Sequence, residues 1–420
     1  MVGSFLTCHG ITNHHQSMIH QAPAGARDLL PLEVVQKSWI NDRLQEVFQR
    51  WGYKRIVTST IEWVNTLMAG GAIQPSTVIQ LQDIGEGTLG LRPELTASIA
   101  RAAVNRLTTN TVQRLCYRAN VFRNPPQGHH GRQLEFYQAG VELLFTDGVL
   151  ADAETLLLLV DSLEYLGLES WQLLLGDAGL TRSLLQVFPD NLRPTILNCI
   201  ANLDRVTLEN LPLELELKNR ALLVFDLRGN PLEVLEKVNQ LDLDENGKKA
   251  VNHLQALIEL VNYNSAKTLP ITLDLSLIQT FDYYTGIVFE AVSFTENKAS
   301  VLAQGGRYNQ LLGIYHPQKQ TYPGIGFSFN IEDLHSCLLN SPNLPKITPP
   351  SDWLVIPETI SAVKQAFSYA QKLRNDSEKI VKVEINLEFR SPEEIKNYAK
   401  NEGILSLAWI TEDGTVKISN

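Results

Sequence analysis

Four polar clusters carry the side chains with which this sequence could do chemistry. They are Arg92-Pro93-Glu94-Leu95-Thr96, the stretch from Leu115 to Phe145, Gln279-Thr280-Phe281-Asp282-Tyr283-Tyr284-Thr285-Gly286, and Ala303-Gln304-Gly305-Gly306-Arg307-Tyr308. The second cluster reads as a hairpin, two strand-like runs joined by the turn-rich Asn124-Pro-Pro-Gln-Gly-His-His-Gly131. Period-2 alternation places Phe136, Gln138, Gly140 and Glu142 on one face of its second strand. A glycine between two polar residues leaves room there for something to lie against the strand, and Arg123 stands at the mouth of the loop. Each cluster also has a purely structural reading. The hairpin could simply face water, a Tyr-Tyr pair is often sheet packing, and Gly-Gly-Arg-Tyr could form a turn.

The elements that must position these groups follow from hydrophobic spacing. Val35, Trp39, Leu44, Val47, Phe48 and Trp51 recur at helical intervals, which predicts an amphipathic helix over 32–51 closed by Gly52. Residues 53–61 read as a strand, and Thr96 as the N-cap of a helix over 97–107. A leucine-rich helix is expected over 152–166, a strand over 171–175 and a helix-rich insertion over about 180–269. Strand signals return at 271–275, 285–294 and 300–303, and residues 327–339 have spacing suited to a helix packed on the sheet. The Pro-rich segment 341–351 reads as a linker. Beyond it, 352–420 alternates strand and helix, as a small α/β domain with a mainly parallel sheet would. No G-x-G-x-x-G follows its first strand, which argues against dinucleotide binding there. The main domain then spans 19–340, and residues 1–18 read as a disordered extension.

The formal net charge of −10, without any Lys/Arg-rich run, argues against a nucleic-acid partner. Cys8, Cys116, Cys199 and Cys337 are scattered without a C-x-x-C pair, which argues against a zinc site or a disulfide framework and fits a reducing cytoplasm. No apolar run reaches membrane-spanning length, and no signal peptide is evident at the start. The expectation is a cytoplasmic protein with no membrane partner and no metal.

Together and in this order, the clusters resemble the catalytic domain of histidyl-tRNA synthetase, a class II aminoacyl-tRNA synthetase, over residues 21–339. Gly25-Ala-Arg-Asp-Leu-Leu-Pro31 through Glu62 is similar to the family's first motif, which forms the dimer interface. The hairpin is similar to the second motif, and Leu277-Ile-Gln-Thr-Phe-Asp-Tyr-Tyr284 to the histidine-specific signature. Gly324-Ile-Gly-Phe-Ser-Phe-Asn-Ile-Glu-Asp-Leu334 is similar to the third motif. The resemblance implies an α+β fold, an antiparallel sheet of about six strands flanked by helices. It further implies a helical insertion and a small C-terminal α/β domain like an anticodon-binding domain.

Departures from the family pattern fall on the ATP side. Gln279 and Asp333 stand where the family has arginines, so a fixed positive charge and a bidentate fork are missing, and an aspartate would repel a triphosphate. Arg123-Asn124-Pro125 lacks the usual glutamate, Leu134 replaces a frequent arginine and Ser59 replaces a proline. Arg123, with Arg132 across the loop, remains as a candidate phosphate contact. By contrast, Glu94, Thr96, Gln138, Glu142, Tyr283 and Tyr284 match the family's histidine-binding positions. Carboxylates there can pair an α-ammonium and accept from an imidazole N–H, while tyrosines wall the ring.

A kept pocket beside eroded ATP machinery resembles the regulatory subunits of ATP phosphoribosyltransferase, non-catalytic relatives that serve a short catalytic subunit in the first step of histidine biosynthesis. That resemblance implies no catalytic residue and no cofactor. It implies a short-form catalytic subunit as partner, a dimer within a hetero-octamer and histidine as effector. The near balance of charge in the C-terminal segment argues against tRNA. The alternatives are a divergent histidyl-tRNA synthetase and another ligase joining an amino acid to a different acceptor.

Overall fold

The computed structural model describes residues 22–71, 73–81, 85, 87–124, 133–265, 267–277, 284–295, 298–375 and 379–419. Tyr283, Gln279, Arg132 and the expected extension at 1–18 lie outside these described residues. The chain divides into two compact units, Met1–Leu344 and Pro345–Asn420.

The first unit begins with α1 (Pro31–Arg50), whose Ile40, Leu44, Val47 and Phe48 are buried at helical spacing. Gly52, at φ 80°, closes it. Its N–H reaches Gln49 O, and Tyr53 N–H reaches Phe48 O, the paired bonds of a Schellman ending whose buried Phe48 and Tyr53 belong to one core cluster. The single strand expected over 53–61 is instead two short strands in different sheets. β1 (Lys54–Arg55) pairs in parallel with β4 (Gln113–Phe122), whereas β2 (Ile61–Trp63) pairs with β3 (Leu89–Leu91).

β4 and β5 (Glu135–Leu144) form the expected hairpin, in register over ten residue pairs. Helix α2 (Val64–Met68) precedes β3, and α3 (Thr96–Arg106) precedes the hairpin. α4 (Val149–Tyr165) and β6 (Gln172–Asp177) follow it. The helix-rich insertion comprises α5 (Ala178–Leu185), α6 (Arg193–Ala201), α7 (Arg205–Asn210), α8 (Leu215–Phe225), β7 (Arg228–Gly229), α9 (Pro231–Asn239) and α10 (Glu245–Asn264). Then come β8 (Ile271–Asp274), β9 (Ile287–Thr295), β10 (Lys298–Arg307), α11 (Leu311–Tyr315), β11 (Gly324–Asn330) and α12 (Ile331–Leu338).

The nine-stranded sheet has the order β1-β4-β5-β11-β10-β9-β6-β8-β7. Its six strands from β4 to β6 are antiparallel throughout, β1 and β8 join β4 and β6 in parallel, and β7 closes the edge antiparallel to β8. Two expectations change here. The Gly-Gly-Arg run is no turn; it continues β10 to Arg307. The helix expected over 327–339 starts only at Ile331, because Ile325, Phe327 and Phe329 alternate with Gly324, Gly326 and Ser328 in a strand pattern. Phe327 packs edge-on against Phe48, Phe289 and Phe329 under this face.

The second unit is a four-stranded sheet, β13 (Val383–Ile385), β12 (Trp353–Pro357), β14 (Ser406–Ile410) and β15 (Val416–Ser419), with α13 (Val363–Asn375) and α14 (Pro392–Glu402). Only β14–β15 is antiparallel. No helix among the described residues is long and apolar enough to cross a membrane.

Candidate functional site

Strand register brings one row of small and polar residues onto a single sheet face. Gly140 of β5 lies opposite Ser328 of β11, which lies opposite Gln304 of β10; one step along, Glu142, Gly326 and Gly306 are aligned. The glycines answer to close approach. A Cβ on Gly326 would lie 2.0 Å from Glu142 Oε2, and one on Gly306 would lie 2.8 Å from the Tyr284 ring. Gly140, expected to leave room for a ligand, is already covered by the Tyr117 hydroxyl and the Phe327 carbonyl.

Helix α3 supplies the opposite wall. Thr96 is not its side-chain cap: the Glu94 carboxylate accepts from the Thr96 and Ala97 amides at 2.5 and 2.9 Å instead. That leaves the Thr96 hydroxyl to donate to Glu142 Oε1 at 2.8 Å. The other Glu142 oxygen accepts from the Tyr308 hydroxyl. Glu142 is 1% exposed. Burial pushes its carboxyl up to about 8, against the pull of the Tyr308 and Thr96 hydrogen bonds, and the nearby Glu94 charge adds to the rise. Burial also raises Glu94, opposed by the amides it caps and by the Arg123 charge. The Tyr117 phenol is raised by burial and by both carboxylates.

Of the residues expected to form the pocket, Glu94, Thr96, Gln138 and Tyr284 line one cavity together with Arg123, and Glu142 accepts hydrogen bonds from two of its lining side chains, Thr96 and Tyr308. Tyr117, Gln304, Tyr308 and Ser328 also line it and were missed. Gln304 and Tyr308 carried a signal, since both lie in the fourth polar cluster. The free volume is about 30 Å³. That suits a water or two rather than the roughly 300–1,000 Å³ of a small-molecule site. Two buried carboxylates beside one guanidinium favour a cationic guest, whose charge would draw the proton from Glu142.

The remaining motif residues do other things. Arg123 Nε donates to Pro93 O at 2.7 Å, tying the hairpin to the Glu94 segment. Buried Arg92 spends its donors on the carbonyls of Asn120, Thr58 and Ser59. Asp333 accepts from Asn330 Nδ2 at 2.7 Å in the N-terminal turn of α12. No cluster of metal-ligating side chains occurs among the described residues.

The histidyl-tRNA synthetase family model matches residues 25–334. The ATP phosphoribosyltransferase regulatory subunit of Rippkaea orientalis is 65% identical over 399 residues, which are 94% of this chain and 98% of that protein. The chain belongs to the ATP phosphoribosyltransferase regulatory subunit family. The Gloeothece citriformis regulatory subunit is 64% identical, over 96% of this chain and 99% of its own. A crystal structure from Bacillus halodurans, described as an ATP phosphoribosyltransferase regulatory subunit/histidyl-tRNA synthetase, superposes with a TM-score of 0.78 at 26% identity. It covers 94% of this chain and 98% of that one. The class II synthetase-like fold and the regulatory family thus coincide in one chain.

Proposed function

We propose that this protein is the non-catalytic partner of a short-form ATP phosphoribosyltransferase catalytic subunit in the first step of histidine biosynthesis, and that histidine is its effector. The observation that carries the reading is near-full-length identity of 65% to a protein named as that regulatory subunit. Histidine would occupy the cavity lined by Glu94, Thr96, Gln138 and Tyr284, beside Glu142, with Tyr283 as the sixth expected contact and Arg123 as a candidate anion contact. On this reading the synthetase reaction would be lost through Gln279 and Asp333, at positions where the resemblance leads one to expect arginines. A carboxylate in the first turn of α12 suits a helix N-terminus rather than a triphosphate. The protein is cytoplasmic and needs no cofactor, and tRNA is not its partner. It self-associates as a dimer within a hetero-octamer, and the exposed Leu29, Leu30 and Val34 around the start of α1 supply an apolar face for that contact.

The test is reconstitution. A short catalytic subunit, titrated with this chain, should gain ATP phosphoribosyltransferase activity and lose it again on adding histidine, while Glu142→Ala should activate but respond weakly to histidine. No gain on mixing, or histidine-dependent aminoacylation of tRNA by this chain alone, would overturn the reading.

A further inference from the structure

We infer that Arg182, on the first helix of the insertion, is a positioning residue for the pocket: with Arg307 it fixes the backbone of residues 284–286 and so ties the tyrosine wall to the insertion. The inference rests on the histidine reading of that pocket and adds how the pocket is held.

The Arg182 guanidinium donates to Tyr284 O at 3.1 Å and to Thr285 O at 3.3 Å. Gly286 O accepts from Ala178 N–H, the first amide of the same helix, at 2.9 Å. Three successive carbonyls behind the Tyr284 ring are therefore bound by α5. From the other side, Thr285 N–H donates to Arg307 O at 2.7 Å, and Thr285 Oγ1 accepts from Asn309 N–H at 3.0 Å. Arg307 is itself fixed. Its guanidinium meets Asp152 Oδ1 at 2.5 and 2.8 Å and Asp147 at 3.0 Å, and its side chain leaves no ordinary space for a Cβ at Gly286. Asp152 is wholly buried in α4, and its second oxygen lies 2.6 Å from His253 Nε2 on α10, the last helix of the insertion. That hydrogen bond holds the His253 proton above its ordinary range, against the cost of burial.

The first helix of the insertion thus binds the strip that carries Tyr284 directly, and the last is linked to it through Asp152 and Arg307. The Tyr284 ring lies against Gly306 of β10, where a Cβ would stand 2.8 Å from it, so a shift of the strip would carry the ring across that strand. A contiguous set of charged hydrogen bonds of this kind is the physical route by which one element biases another.

Arg193 supplies a matched control, since its guanidinium binds the carbonyls of Phe188 and Gln186 wholly within the insertion. Two measurements on the full chain decide the matter: histidine affinity by calorimetry, and amide exchange at Ala178 and Thr285. Arg182→Ala should weaken histidine binding about tenfold, the scale of losing a charged hydrogen bond. It should also speed exchange at both amides. Arg182→Lys, which keeps one donor, should recover part of both effects, and Arg193→Ala should change neither. Wild-type affinity in Arg182→Ala, or equal losses in the two alanine variants, would overturn the inference. Absence of histidine binding by the wild-type chain would sink the pocket reading instead. In that case the exchange rates alone decide the positioning role, and rates at Ala178 and Thr285 unchanged by Arg182→Ala overturn it.

Discussion

Glu142 accepts hydroxyl hydrogen bonds at both oxygens, yet its environment favours the neutral acid. Its carboxyl is raised from an ordinary 4.5 to about 8 by burial. Between those values the folded protein holds a proton that the unfolded chain has lost, so folding takes up a proton. The contribution is fully present below the unfolded value and is lost as pH rises through about 8. Glu142→Gln keeps polar atoms at the site and removes the titration. Thermal stability of the wild type should therefore fall more steeply than that of Glu142→Gln from pH 5 to 8, and the two curves should run parallel below pH 4. Parallel curves over the whole range would mean that Glu142 is ionised in the folded protein, with its hydroxyl donors outweighing burial. The cavity would then carry negative charge before any ligand arrives.

Strands β5, β10 and β11 hold the glycines that make this packing achievable. A Cβ on Gly140 would lie 2.3 Å from Phe327 O and 2.6 Å from the Tyr117 hydroxyl, and the first of these is backbone that cannot swing aside. Gly140→Ala should therefore lower stability by about 1–3 kcal/mol, the usual cost of overpacking. A denaturation midpoint equal to wild type would show that β5 and β11 can separate there. In sequence Gly140 announced a special place but pointed to the wrong occupant: alternation reveals which face a residue takes, while the side chain that fills the space arrives from a neighbouring strand. The same limit explains Thr96. Its type and position satisfy the rule for a cap, but Glu94 takes the helix amides and Thr96 turns to Glu142, 46 residues away. Helix α1 and its glycine stop were legible because their determinants are local. β11 was not, since Ile325-Gly-Phe-Ser-Phe329 is too short for periodicity to separate it from the helix that follows. Five of the six expected pocket positions lie within the described residues, and they converge on one site because the motifs carry their order and spacing into the sheet register.

At the scale of the whole molecule, two separate cores fix what each unit can do alone. The core of the first unit extends to Leu344, which is 1% exposed. The second unit is built on Leu354, Ile356, Ile395, Ala399 and Leu407 on one side of its sheet, and on Val355, Ala366, Ala370, Ala408 and Ile410 on the other. No residue is shared between these clusters. Helix α14 is stopped at both ends by local means, a Ser391–Glu394 capping box and Gly403 at φ 70°. A sheet covered on both faces, with one of its helices capped by its own sequence, has what independent folding requires. Residues 345–420 expressed alone should therefore denature cooperatively, and a chain ended after Leu344 should keep the pH profile assigned to Glu142, whose partners all belong to the first unit. If the shortened chain kept its fold but lost that profile, the environment of Glu142 would depend on the second unit; if the isolated second unit failed to fold, its two small cores would be insufficient without the first. The cut belongs after Leu344 and not before, because removing that side chain would open a cavity in the first core at a cost of about 2–5 kcal/mol.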